Sequence, residues 1–372
     1  MRADLLESIK RCAFCPKMCR FACPVARANQ DEAAIPYGLS TVADLALAGK
    51  LDLAEPSVAG LLYACTECRA CREYCRVEGV DLVEICRAVR AQTVARGIAP
   101  EPVARFHQKL QAYHNPYGAR ALHAHEKVPE FQRAFPKKAR VLYYAGCTAA
   151  VAQPEIVVAA FRALERLGVD YTVLPGAWCC GLPALSLGNP GAARELMAHN
   201  LQAIQETGCQ VVVSGCPSCV TAFRQDYPQA GFELEVQVLH ISQYLDGLLD
   251  VSLAGGGPGG QATYHDPCLL GRGLGEYQAP RRLLGRIVGL ELAEMAWSHG
   301  DSLCCGGGGG LPLTWPTTSR KMGHGLLCQA IAAGAQTLIT ACPFCKNRLS
   351  LAARRSPVRV LDLVEFVAPA LG

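Results

Sequence analysis

The stretch Cys216-Pro217-Ser218-Cys219 is answered further along by Cys342-Pro343-Phe344-Cys345, and each ends a longer pattern. Upstream of the first lie Cys179-Cys180-Gly181 and, before that, Gly146-Cys147. Upstream of the second lie Cys304-Cys305-Gly306 and Pro267-Cys268. Between the lone Cys and the Cys pair lie 31 residues in the first copy and 35 in the second; between the pair and the Cys-Pro-x-Cys lie 35 and 36. Five thiols per copy exceed what a four-coordinate zinc needs.

The segments around these thiols alternate between strand and helix patterns. Arg140 to Tyr144 reads as a buried strand ending at Gly146-Cys147, and a helix from Pro154 to Gly168 follows. Asp170 to Leu174, Gln210 to Val213 and Val236 to Leu239 read as further strands, with helices over residues 190–207 and 241–249. The second copy repeats the plan, with strands at Ala262 to Tyr264, Glu291 to Met295, Thr337 to Thr340 and Val358 to Leu361. Alternation of this kind predicts an α/β fold of two duplicated, Rossmann-like domains with parallel sheets, residues 139–253 and 261–372, joined by a Gly-rich linker at 254–260. The thiols fall just past the carboxyl ends of strands, the edge where parallel sheets build sites. Pro217 and Pro343 open helices, whose free N–H groups favour thiolate. Gly181 and Gly306 to Gly310 would let backbone approach an inorganic core. A phosphate loop is a weaker reading of that glycine run, since no Lys-Ser/Thr follows it.

Residues 1–99 carry Cys12-x2-Cys15-x3-Cys19-x3-Cys23-Pro24 and Cys65-x2-Cys68-x2-Cys71-x3-Cys75. Runs of this type hold two cubane [4Fe–4S] clusters, the last Cys of each run serving the other cluster. The expected ligand sets are therefore Cys12, Cys15, Cys19 and Cys75, and Cys65, Cys68, Cys71 and Cys23. A zinc ribbon is the rival reading. Two details depart from the usual spacing: three residues separate Cys15 from Cys19, and Arg76 stands where Pro usually follows the last Cys. Helical patterns at 39–62 and 81–95 make this unit a mainly α-helical, ferredoxin-type domain. Residues 100–138, punctuated by prolines and carrying His107, His114, His123 and His125, read as a linker or wrapping arm.

Composition narrows the classes. Of 372 residues 51% are hydrophobic and 18% charged, so the chain is globular. A net charge of +4 without a Lys/Arg run argues against nucleic acid. The start has no apolar core of a signal peptide, and no apolar run reaches the ~18–20 residues of a membrane span. The 21 cysteines then point to metal or redox ligation rather than disulfides, in a cytoplasmic protein. Any membrane link, on the inner face, comes through a partner. Eighteen of the cysteines belong to the motifs, and Cys86, Cys209 and Cys328 are left as structural thiols. His265, Asp266 and His299 lie near the second set as candidate proton donors or hydrogen-bonding supports.

The blocks Ala145-Gly-Cys-Thr148, Trp178-Cys-Cys-Gly-Leu-Pro183, Gly215-Cys-Pro-Ser-Cys219, His265-Asp-Pro-Cys268, Cys304-Cys-Gly-Gly-Gly-Gly309 and Ala341-Cys-Pro-Phe-Cys345 resemble the cysteine-rich CCG domains of the heterodisulfide reductase family. A two-cluster ferredoxin unit followed by two such domains resembles that family's D-type iron–sulfur subunits. The iron–sulfur subunits of glycolate oxidase and anaerobic glycerol-3-phosphate dehydrogenase share the plan. Leu269 is a departure, since many relatives place His after Asp-Pro-Cys. The resemblance implies a noncubane [4Fe–4S] cluster on Cys147, Cys179, Cys180, Cys216 and Cys219, and another on Cys268, Cys304, Cys305, Cys342 and Cys345; some relatives hold zinc in a degenerate motif. It implies a catalytic role for those ten cysteines in splitting a disulfide or related sulfur substrate, small or protein-borne, or in oxidising thiols. It also implies other redox subunits as partners: a flavoprotein, an iron–sulfur protein, or a membrane cytochrome b or quinone-linked protein. The alternative is a relay that passes electrons from a flavin-dependent glycolate, lactate or glycerol-3-phosphate dehydrogenase towards quinone. A zinc-bound or purely scaffolding protein is the third reading.

Overall fold

The computed structural model describes residues 2–16, 18–120, 138–174, 176–253 and 260–371. The expectations for His123, His125 and residues 254–259 lie outside them. Two four-stranded parallel sheets form the body of the molecule. Strands β1 (Val141–Tyr143), β2 (Tyr171–Val173), β3 (Val211–Ser214) and β4 (Gln237–His240) order themselves β2-β1-β3-β4. Strands β5 (Gln261–His265), β6 (Glu291–Leu292), β7 (Thr337–Thr340) and β8 (Arg359–Asp362) order themselves β6-β5-β7-β8. The α/β, duplicated fold expected from the cysteine pattern is thus the observed one.

Strand order explains why the thiols gather. From β1 the chain crosses outward to β2 and then back past β1 to β3, so the crossover direction reverses between β1 and β3. At such a reversal a crevice opens at the carboxyl ends of the strands. Cys147 begins the helix Cys147–Ala152 after β1, and Cys216 caps the helix Pro217–Thr221 after β3. In the second sheet Cys268 follows β5 and Cys342 caps the helix Pro343–Ala352 after β7. The lone Cys and the Cys-Pro-x-Cys of each copy therefore meet at its reversal point.

The two sheets share one core. Tyr143, Ile156, Phe161 and Val213 of the first pack in a continuous cluster with Tyr264, Leu283, Ile339 and Phe366 of the second. The contacts are reciprocal. Helix Pro154–Arg166, after β1, packs on Leu363–Val367, after β8; helix Gln278–Gly285, after β5, packs on Ile241–Leu248, after β4. Equivalent surfaces exchanging partners is the arrangement of an isologous dimer, here within one chain.

The N-terminal unit is helical, with Ala3–Ala13, Pro36–Leu47, Pro56–Leu62 and Leu82–Ala95 around Ile9, Ala43, Leu62 and Val89. Its second core joins Ala22, Val25 and Leu39 to Leu311 and Met322 of the second repeat. The segment read as an arm contains a helix, Glu101–Tyr113, that buries Val103, Phe106 and Leu110 against the first repeat. Pro102 there occupies the first turn, where its missing N–H costs nothing. Among the described residues no helix is long and apolar enough to cross a membrane.

Candidate metal centres

In the N-terminal unit Cys12, Cys19, Cys71 and Cys75 line one small cavity, and Cys23, Cys65, Cys68 and Cys71 line a second beside it. Cys15 lies among the neighbours of Cys12, with Cys19 and Cys75. Cys75 thus lies with cysteines of the first run and Cys23 with those of the second, while Cys71 faces both cavities. Burial pushes the thiols of Cys12 and Cys19 up to about 11 and that of Cys23 to about 12. Thiols so resistant to ionisation become ligands only beside a compact positive charge, the condition an iron–sulfur core meets.

In the first repeat all five motif cysteines are buried, and the Cys147 and Cys179 sulfurs stand 3.9 Å apart. The Cys179 and Cys219 thiols pull Cys180 below the ordinary thiol range, and Cys219 does the same to Cys216. Cys147 and Cys219 are held well above it, chiefly because neighbouring thiols prefer them as donors. Gly146, at φ +74°, lies where a Cβ would come within 2.9 Å of the Cys219 sulfur, so the motif needs glycine there.

In the second repeat Cys304, Cys305, Cys342 and Cys345 are buried and Cys268 half-buried, with the sulfurs of Cys305 and Cys345 3.3 Å apart. Cys304 and Cys345 drive Cys305 well below the thiol range. Each repeat thus gathers all five of its motif thiols, and only a minority can ionise without a cationic core. The donor set fits a metal–sulfur group and has more thiols than zinc takes.

The two kinds of centre touch. Cys304 lies close enough to Cys68 for its thiol to draw Cys68 well below the ordinary range, and Arg272 reinforces the effect. Arg272 donates to the Cys68 carbonyl (2.7 Å) and to those of Gly300 and Ser302 (2.9 and 2.8 Å). Two glycines of the run sit against the N-terminal unit. A Cβ on Gly308 would stand 2.3 Å from the Thr66 oxygen, and one on Gly309 2.1 Å from that of Cys65.

A supporting layer was not visible in the cysteine pattern. Tyr144 and His265 occupy the same place, three residues before the lone Cys of their copies. The Tyr144 hydroxyl donates to the Trp178 carbonyl, and His265 Nε2 donates to that of Leu303 (3.0 Å), each just before a Cys pair. Their equal offset was the available signal. His265 Nδ1 faces the Thr340 hydroxyl at 3.1 Å, so both ring nitrogens are engaged, and burial holds the imidazole neutral. Asp266 is ion-paired to Arg281 (2.6 Å) and accepts the His299 N–H (2.8 Å). These groups act as supports. Asp266, Glu294 and His299 lie within reach of a common ion, but Arg281 already bridges both carboxylates.

Of the arm histidines, His107 Nε2 contacts the Leu187 carbonyl at 3.2 Å, and His114 stacks on Trp178 at 3.5 Å between ring centroids. Both are packing residues. Cys86 and Cys209 are buried outside the motif sets, and Cys328 is exposed beside His324.

Between the repeats lies a cavity of about 220 Å³. Cys268, Cys305, Cys342 and Cys345 face it from the second repeat, whereas the first repeat's thiol motif contributes only Pro217 and Ser218. The Gly307 to Gly310 backbone and Thr66-Glu67 form another wall.

Fold and centres together define a class: iron–sulfur proteins in which a two-cluster unit is joined to a duplicated cysteine-rich α/β domain. The cysteine-rich CCG domain model matches residues 141–224 and 262–350, and the 4Fe-4S dicluster domain model matches residues 8–79. The chain is 36% identical over 321 residues to the D-type subunit of the dihydromethanophenazine:CoB–CoM heterodisulfide reductase of Methanosarcina barkeri, covering 84% of this chain and 78% of that protein. It is 28% identical over 368 residues to the B-type subunit of the fumarate reductase (CoM/CoB) of Methanothermobacter marburgensis, covering 97% of this chain and 72% of that one. A crystal structure of a hypothetical protein from Helicobacter pylori shares the fold, with a TM-score of 0.56 at 12% identity over 98% of this chain and 74% of that one. The chain belongs to the family of heterodisulfide reductase D-type subunits and is an iron–sulfur, oxidoreductase-type subunit.

Proposed function

We propose that this chain is the catalytic iron–sulfur subunit of a heterodisulfide reductase-like complex. It reduces a disulfide or related sulfur substrate, or runs in reverse as a thiol oxidase. The observation that carries the reading is a complete five-cysteine set in each repeat, one of them opening onto a cavity. Relatives named for heterodisulfide and for CoM/CoB chemistry add support.

In this reading Cys12, Cys15, Cys19 and Cys75 hold one cubane [4Fe–4S] cluster, and Cys23, Cys65, Cys68 and Cys71 the other. Cys147, Cys179, Cys180, Cys216 and Cys219 hold one noncubane cluster, and Cys268, Cys304, Cys305, Cys342 and Cys345 its counterpart. When bound, these groups supply one-electron transfer and iron able to take a sulfur ligand. The protein's own residues do the rest. Cys68 and Cys304 bring the N-terminal unit against the second repeat, and Arg272 fixes that contact. The cavity holds the substrate beside Cys268 and Cys305 and excludes bulk water. In balance, one disulfide, two electrons and two protons give two thiols. The electrons come from other redox subunits, a flavoprotein, an iron–sulfur protein or a quinone-linked cytochrome b, on the cytoplasmic face of the membrane.

Cys305→Ala tests the assignment. The variant is expected to lose at least about a hundredfold in disulfide reduction with a reduced viologen dye, while keeping the cubane EPR signals. Wild-type turnover in this variant would overturn it.

A further inference from the structure

The two repeats share their thiol motif but not the charge set beside it. Arg272 lies four residues after Cys268, and Arg348 three residues after Cys345. At the same offsets from Cys147 and Cys219 the first repeat has Val151 and Ala222. Arg272 spends its Nε and Nη1 N–H groups on the carbonyls of Cys68, Gly300 and Ser302. Its Nη2 nitrogen is buried and has no acceptor among the described residues. The thiols acting on this guanidinium are those of Cys68, Cys268 and Cys304, so it stands where the N-terminal unit meets the second repeat. Arg348 approaches the same thiol set at Cys305. A Cβ on Gly307 would stand 3.2 Å from Arg348 Cγ and 3.4 Å from the Cys305 sulfur, which places both side chains against one glycine. Arg348 Nε is also buried and without an acceptor among the described residues. Buried N–H groups are costly to leave unmatched, and the sulfurs of a metal–sulfur group are acceptors that fit both.

The acids near the second set are already engaged. Asp266 and Glu294 share Arg281, and Glu155 and Glu365 share Lys346. The Asp362 carboxyl caps a helix and accepts the N–H groups of Val364 and Cys342. The first set has neutral neighbours instead. Tyr117, Tyr144 and Tyr227 each lie within electrostatic reach of Cys179 and of two more thiols of that set, and burial keeps all three hydroxyls protonated. Positive charge and N–H donors beside the sulfurs of an iron–sulfur group raise its potential, because both stabilise the added electron. In a buried site little water screens that effect.

We infer that the two five-cysteine centres are not redox-equivalent: Arg272 and Arg348 raise the potential of the centre in the second repeat, which takes an electron before the centre in the first. The inference rests on the proposed loading of both repeats with noncubane clusters and adds the order in which they fill. The step is a transfer of one electron. The cubane centre at Cys68 loses the electron that the second repeat's centre gains across the contact of Cys68 with Cys304. A one-electron donor of reduced-viologen type then refills the cubane centre. Arg272 touches both sides of that contact, so its charge acts on donor and acceptor alike.

Anaerobically purified, cluster-loaded protein is titrated with dithionite in the presence of mediator dyes, and EPR spectra are recorded at each applied potential. Two steps are expected from the noncubane pair. At any one potential the reduced-to-oxidised ratio of the second repeat's centre should exceed that of the first at least about tenfold, which is about 59 mV for one electron. Cys305→Ala should remove the higher step and Cys180→Ala the lower, which assigns them. Arg348→Met, at a half-buried position, should lower the higher step by at least about threefold in that ratio, and Arg348→Lys should hold it near the wild-type value. Arg272→Met should lower the same step and move the Cys68 cubane signal in the same direction. The step of the first repeat should stay in place in all three arginine variants. Arg348→Met keeps the test independent of the Arg272 contact. A single step for both centres, a higher step that belongs to the first repeat, or an unmoved step in both methionine variants overturns the inference and leaves the cluster loading intact. An iron content that leaves either repeat without a cluster overturns the loading and the inference together.

Discussion

Gly309 shows how narrowly single residues are set. It sits at φ +59° with its α-hydrogen against the Cys65 carbonyl, where a Cβ would stand 2.1 Å away. Gly309→Ala should therefore combine a left-handed backbone penalty of about 1 kcal/mol with a clash against a cluster loop. The expected outcome is a lower melting temperature and a changed EPR signal from the cluster proposed on Cys65; an unaltered spectrum would rule out the contact. The glycine run was legible as a demand for close approach, but its partner was not, because the neighbouring backbone comes from more than two hundred residues away. The cysteines were legible for the opposite reason. Their chemistry has few uses, and the copies confirm one another within the sequence. His265 was legible as a candidate support, but its counterpart Tyr144 was hidden, because a tyrosine and a histidine can each make the same hydrogen bond. His265→Ala should shift the midpoint potential of the cluster proposed in the second repeat and leave the one proposed in the first unmoved, as redox-titrated EPR would record.

Among the elements, β4 and β8 end in equivalent capping residues, His240 and Asp362. His240 Nδ1 accepts the Ser242 N–H, and Nε2 donates to the Gly215 carbonyl beside Cys216. Burial lowers its pKa from the ordinary 6.5 to about 4. The unfolded chain therefore takes up this proton at a higher pH than the folded one. The contribution is constant above about pH 7, and stability falls as pH drops from 6.5 towards 4, by roughly 3 kcal/mol at full extent. His240→Asn, which keeps a capping side chain, should flatten that part of the curve in thermal melts at pH 5 and 7. An equal pH dependence in both proteins would contradict the assignment. Strands and long helices of the repeats were readable from their periodicity to within a few residues. The helix Glu101–Tyr113 was not, because Pro100 and Pro102 look like breakers; one caps this helix and the other lies in its first turn.

Across the whole molecule, Arg90 joins three units. Its wholly buried guanidinium donates to the carbonyls of Leu62 (2.9 Å) and Cys65 (2.8 Å) in the N-terminal unit, Ser186 (2.7 Å) in the first repeat and Gly309 (3.3 Å) in the second. Removing it leaves those acceptors and Glu67 short of a donor. Arg90→Met should cost about 3–5 kcal/mol, measured by chemical denaturation under anaerobic conditions. A change below about 1 kcal/mol would show that the units are held elsewhere. Nothing in the sequence around Arg90 marks it, since its partners are the Glu67 side chain and backbone carbonyls of three separate segments. The reciprocal packing of the repeats was equally hidden, although the duplication that makes it possible was plain.

All eighteen motif cysteines are assigned here to iron. The decisive measurement is the iron and acid-labile sulfide content of anaerobically purified protein, with EPR after a thiol is added under oxidising conditions. About sixteen irons per chain and a thiol-induced paramagnetic signal are expected. About eight irons with no such signal, or zinc in a cysteine-rich repeat, would contradict the assignment.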